Sequence, residues 1–226
     1  MYLRNAIGIV GIIMPLWILY GAYIRENIWQ LNSISAYYYT SMRDVFVACL
    51  MLVGGLLACY RGTEFKDNLA AFVAGISAMF IGLFPMAPEF SKIVQEKYAC
   101  FNRNDCYFAF GILGFHFLFV ALFFVIIFWM VYFRFKIITD QKELTSQKIK
   151  RNKIYKICGG IMFCSYVLIA YMYFTNNQYI FWPEYSAIFS FAYAWLTKGQ
   201  ALHYDTDKKP RIYTKIQGLN VKKLNK

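Results

Sequence analysis

The sequence predicts an all-α membrane protein: a polytopic bundle of six transmembrane helices with the N-terminus and the C-terminus in the cytoplasm. Three observations predict it. Of 226 residues, 59% are hydrophobic and 20% aromatic, and only 16% are charged, whereas soluble domains hold about 45–50% apolar and about 25% charged residues. The charges are clustered, and between the clusters lie uncharged stretches close to the roughly 20 residues that cross a bilayer. Lys and Arg are also divided unequally between alternate loops, which sets an orientation.

The spans follow in chain order. The first, 6–24, has Arg4 before it and Arg25-Glu26 after it. Its apolar core is longer than a secretory h-region and no small-x-small site follows, so an uncleaved helix is expected rather than a signal peptide. The second, 45–60, begins after Arg43-Asp44 and ends at Arg61-Gly62, where glycine suits a helix C-cap. The third, 69–86, follows Asp67-Asn68, good N-cap residues, and ends at Pro85 and Pro88. The fourth, 107–133, is long enough to tilt, and the fifth is 155–174. The sixth, 185–202, contains Lys198. A lysine near a helix end can snorkel to the headgroups, so this stretch counts as a span. The transmembrane domain is then 1–203, followed by a basic cytoplasmic tail, 204–226.

With the N-terminus inside, 19 of the 24 Lys and Arg residues fall on the cytoplasmic side, leaving outside only Arg25, Arg43, Lys92, Lys97 and Arg103. The positive-inside rule selects this orientation. A net charge of +12 raises nucleic acid as a partner. The basic segments flank apolar spans, however, and cytoplasmic loops facing anionic lipid account for them better. Membrane lipids are therefore the expected partners, in a bacterial inner membrane or a plasma membrane. Ala70, Ala74, Ala78 and Gly82 repeat at spacing four on the third span. Such a stripe lets helices approach closely in lipid, either as a seam inside the bundle or as a homodimer face.

Cys49, Cys59, Cys158 and Cys164 lie in spans, where cysteine behaves as a small apolar residue. Cys100 and Cys106 bracket five residues rich in turn formers in a loop assigned outside. That setting favours a disulfide between them. The two histidines, His116 and His203, fall near opposite faces, whereas a catalytic zinc normally takes three converging ligands. No HExxH, GxSxG, paired CxxC, P-loop or GxGxxG pattern occurs. Neither a metal nor a cofactor is expected. The HxxxH pair of ceramidase- and progestin-receptor-type intramembrane hydrolases is also missing.

Given this topology, polar residues gather on the outer side: the run from Asn32 to Asp44, then Glu89 and Asp105, then Glu184 after Trp182-Pro183. His116 stands nine residues into the fourth span, about 13 Å along the helix. Polar groups at such depth are kept when they are paired or wet. Ser35, Tyr38, Arg43, Asp44, His116 and Glu184 are therefore the candidates to line one outward pocket, with Arg43 paired to Glu184 and Tyr37 to Tyr39 at the rim. Each has a plainer reading. Three tyrosines in a row suit an interfacial aromatic belt. Arg43 and Asp44 are adjacent and do not share a helix face. Glu184 suits the dipole of a first helical turn, and His116 needs only a hydrogen bond.

Ser33-Ile34-Ser35 followed by Arg43-Asp44-Val45-Phe46-Val47 resembles a broad group of six-helix membrane proteins, the Frag1/DRAM/Sfk1 type and related bacterial families. In these a Ser-rich first outside loop precedes an arginine- or proline-led second helix. The stretch Trp182-Pro183-Glu184…Ala194-Trp195-Leu196-Thr197-Lys198-Gly199 is similar to the last helix of small bacterial membrane proteins. The resemblance implies six helices in this orientation and a membrane-embedded regulator or lipid-linked protein. The function expected is the binding of a lipid or small amphipathic molecule in the outward pocket, for sensing, transport or scaffolding. The alternative is a membrane-embedded hydrolase or transferase using Asp44, His116 and Glu184, which requires those three side chains to converge.

Overall fold

A computed structural model describes residues 2–86, 115–136, 146–175, 177 and 179–202. Every regular element among them is helical: α1 (Tyr2–Glu26), α2 (Arg43–Ala58), α3 (Phe65–Leu83), α4 (Phe115–Trp129), α5 (Ser146–Phe174) and α6 (Phe181–Lys198). A 3₁₀ turn (Ser35–Tyr39) lies between α1 and α2, and one π-helical turn (Met130–Arg134) continues α4. Four helices are long and apolar enough to cross a membrane: Tyr2–Glu26, Phe65–Leu83, Phe115–Arg134 and Gln147–Phe174. The described residues are thus all-α, with four helices able to cross a membrane. Cys100, Cys106, Glu89, Asp105, His203 and the tail 204–226 lie outside the described residues.

Helix ends follow local hydrogen bonding rather than hydropathy alone. Asp67 and Asn68 do not cap α3; Glu64 does, in a capping box with Asp67. The Asp67 carboxylate reaches back to accept from the backbone N–H groups of Thr63 and Glu64 and from the Thr63 hydroxyl. Three donors are satisfied by one side chain, so the helix starts a turn earlier than its apolar stretch. Nor does Gly62 cap α2, which ends at Ala58. Gly62 lies beneath Asp67, where a Cβ would come within 2.3 Å of that residue's own Cβ. Lys198 closes α6 by donating to the Phe135 carbonyl at 3.2 Å.

Each helix packs on the next in the chain, α5 chiefly through the π turn, and α6 returns to pack on α1. The six therefore form a closed ring in sequence order. Two joints bring backbones together. A Cβ on Gly75 would lie 2.5 Å from the Gly54 carbonyl, and one on Gly8 would lie 2.8 Å from that of Ala192. These joints tie α2 to α3 and α1 to α6 by van der Waals contact, as small residues do in lipid. The stripe on α3 serves the first joint. Ala74 and Ala78 are fully buried and Gly82 faces Leu50 and Val47 of α2, so these three residues form a seam within the chain.

The connector between α1 and α2 folds into the end of the ring as a plug. Asn27, at φ 53°, ends α1 in the left-handed conformation. Ile28, Leu31, Ile34, Ala36, Tyr37 and Tyr38 are then buried against Met14, Ile18, Ala22, Phe46 and Phe181. The tyrosines do not form a lipid-facing belt. Tyr37 is fully buried and its hydroxyl accepts from the Leu31 N–H, while the Tyr39 hydroxyl donates to the Met86 carbonyl. Burial pushes the Tyr37 phenol above its usual range, and the Leu31 hydrogen bond offsets part of the shift. Irregular backbone is tolerated in a membrane protein where protein surrounds it and its polar groups are met. Protein surrounds this segment, and its backbone N–H groups from Ile34 to Tyr37 are all bonded.

Candidate functional site

The plug places its serines between two helices. Glu184 sits in the first turn of α6 and is 8% exposed. Its Oε2 accepts from the Ser33 hydroxyl at 2.9 Å and from the Ile34 N–H at 2.6 Å. Its Oε1 accepts from none of the described residues. Across the plug, His116 on α4 is 4% exposed. Its Nδ1 lies 2.7 Å from the Phe84 carbonyl and its Nε2 lies 3.1 Å from the Ser35 hydroxyl. A carbonyl can only accept, so Nδ1 carries the proton. In the neutral ring Nε2 is then an acceptor, and Ser35 donates to it.

These bonds form one connected chain. The Ser35 N–H donates to the Ser33 hydroxyl oxygen at 3.1 Å, and Ser33 in turn donates to Glu184. The plug is thereby fastened to α4 through His116 and to α6 through Glu184. His116 also fastens α4 to the end of α3, because Phe84 is the C-cap of that helix. It therefore stands level with the end of α3 rather than far along the bundle.

Beneath this network lies a cavity of about 70 Å³. Its walls come from five of the six helices: Gly11 and Met14 of α1, Phe46 and Val53 of α2, Ile81 of α3, Phe123 and Phe124 of α4, and Ile188 and Phe191 of α6. Ser35 and Glu184 are the polar residues among its lining. The site is an apolar chamber at the centre of the ring, with two oxygen-bearing side chains at the plug.

Of the residues expected from sequence, Ser35, His116 and Glu184 come together, although His116 reaches the chamber only through Ser35. Tyr38 is buried in the plug without lining the cavity. Burial raises its phenol pKa, with Arg43 opposing the shift and Asp44 adding to it. The expected Arg43–Glu184 pair is not formed. Arg43 lies at the start of α2, where its Nε meets Asp44 Oδ1 at 3.3 Å with both side chains largely exposed. Side chains in a first turn splay outward, so adjacent residues meet there even though they do not share a helix face. Asp44 is 89% exposed and takes no part in the network.

Sequence reasoning had placed Ser33 in the outer polar run without a role, and it missed the Ile34 N–H and the Phe84 carbonyl. The serine spacing was a usable signal for the first; the two backbone groups leave none. It also missed a second polar cluster, away from the plug. Arg134 of the π turn binds Asp67 through Nε at 2.5 Å and Glu64 through Nη2 at 2.9 Å. The comparisons with known proteins return no family model, no curated protein and no solved structure that matches the chain.

Proposed function

We propose that the protein binds a lipid chain end or a small amphipathic molecule inside the membrane, with the apolar part in the central chamber and the polar head at Glu184 and Ser35. Its role is that of a sensor or carrier. The observation that carries this reading is the Glu184 Oε1, an acceptor on a buried side chain lining an apolar cavity, with no partner among the described residues. Such a group is costly unless something else satisfies it. A pocket with apolar walls and few convergent polar groups is the usual form of a small-molecule site.

The hydrolase reading has one observation in its favour, the Ser35–His116 hydrogen bond, with Phe84 orienting the ring as acyl-transfer sites require. Two others weigh against it. Asp44 does not join the cluster. The backbone donors around Ser35 are also engaged: Ile34 N–H on Glu184, Ser35 N–H on Ser33, Ala36 N–H on the Ser33 carbonyl and Tyr37 N–H on the Ile34 carbonyl. None is left to stabilise an oxyanion, usually the largest single contribution in acyl transfer.

The same proposal takes all six helices as spans, with both termini cytoplasmic. The 19-to-5 distribution of Lys and Arg supports the orientation. Closed-ring packing supports counting α2, 16 residues long, and α6, 18 residues long, beside the other four. The sequence resemblance to the Frag1/DRAM/Sfk1 type agrees with a regulatory role in an inner or plasma membrane, with lipids as partners. Native mass spectrometry of gently solubilised protein tests the binding. Wild type should retain a small molecule, and Val53→Phe, which puts a ring into the chamber, should lose it. No retained molecule in wild type, or equal retention in both, would overturn the reading.

A further inference from the structure

Two features of the chamber define the sign of what it accepts, and both rest on the binding reading above. The first is the polarity of its oxygens. Ser35 commits its one proton to His116 Nε2, because Nδ1 is held as a donor by the Phe84 carbonyl. The Ser35 oxygen therefore turns only lone pairs toward the cavity. The ionised Glu184 carboxylate offers only lone pairs at Oε1, and a bound cation holds it in that form. A donor-poor head such as a carboxylate or a phosphate would meet two acceptors and no donor.

The second is that no described residue supplies a counter-charge to this carboxylate. The two groups bonded to Glu184, a hydroxyl and an amide N–H, are both neutral, and no other residue lining the cavity is ionisable. An isolated buried carboxylate is strongly disfavoured without an opposite charge. Phe46, Phe123, Phe124 and Phe191 line the same space, and aromatic rings attract cations within about 6 Å.

We infer that the ligand is a cationic amphiphile whose head is a protonated amine carrying N–H donors. The ammonium donates to Glu184 Oε1 and to the Ser35 oxygen while its first methylenes rest among the phenyl rings. A chamber of about 70 Å³ holds a compact primary ammonium and a short stretch of chain. A longer tail must leave between helices, toward lipid.

The test titrates purified protein in an uncharged maltoside detergent with n-butylammonium, 1-butanol and butyrate, three probes of similar size and different charge, read by saturation-transfer NMR. Butylammonium should bind at least tenfold more tightly than butanol, and butyrate should not bind over the same range. In Glu184→Gln the amide oxygen still accepts from Ser33 and Ile34. There the ammonium-to-alcohol ratio should fall to about one. Ser35→Ala gives a second arm if the glutamine variant does not stay monodisperse, and should lower the ammonium-to-alcohol ratio several-fold. Equal binding of butanol and butylammonium by wild type overturns the cation assignment and leaves the binding reading intact. Binding of butyrate in preference to butylammonium does the same. Failure of all three probes to bind removes both.

Discussion

His116 has both ring nitrogens engaged in the interior, so the cost of cutting its bonds depends on which partner is removed. Ser35→Ala leaves Nε2 buried with nothing to accept from and should destabilise by ~1–3 kcal/mol. His116→Phe removes the polar ring together with its needs, leaving the Phe84 carbonyl and the Ser35 hydroxyl to relax. The double variant should therefore cost less than the sum of the singles, with a coupling of about 0.5–3 kcal/mol in thermal unfolding. Strict additivity would mean that the two side chains do not meet. The same residues show what could be read in advance. Glu184 and His116 stood out because an ionisable group in an apolar stretch needs a reason to be there, and Ser35 because it lies in a short polar run. The Arg43–Glu184 pair does not form, because a charge at a helix start looks the same in sequence whichever partner it takes. The groups that complete the site, the Ile34 N–H and the Phe84 carbonyl, belong to the backbone and have no letter of their own.

At the scale of elements, the junction of α2, α3 and the π turn depends on one cation. Arg134 bridges Asp67, whose side chain is 7% exposed, and Glu64, whose side chain is half exposed. Removing the arginine strands a buried carboxylate, so Arg134→Met should cost about 3–5 kcal/mol. Glu64→Gln touches only the solvated arm and should cost less than about 1 kcal/mol. Equal shifts in the melting temperature of the two variants would show that burial of Asp67 does not matter. All six helices could be found in the sequence, since each apolar stretch became one. Their ends were displaced wherever polar residues continued the helix. The fifth span was read as 155–174, but α5 begins at Ser146 and carries Lys148, Lys150, Arg151 and Lys153 on its first turns. Hydropathy marks where lipid can lie, whereas a helix continues for as long as its backbone bonds do.

For the whole molecule, the orientation proposed here has a direct readout. A reporter fused after Lys226 should be cytoplasmic, and tags placed within 89–105 and 175–178 should be accessible from outside; an external C-terminal reporter would reduce the number of spans. The closed ring also has a consequence in time. Ser33 and Ile34 are made early, but the carboxylate that receives them follows about 150 residues later. The Gly8 face of α1 likewise meets Ala192 and Leu196 only once α6 has been synthesised. Chains emerge N-terminus first, and pairings distant in sequence form late. The final helix therefore both shuts the ring and latches the plug. Until it arrives, the growing chain holds a half-built chamber open on one side to the surrounding lipid.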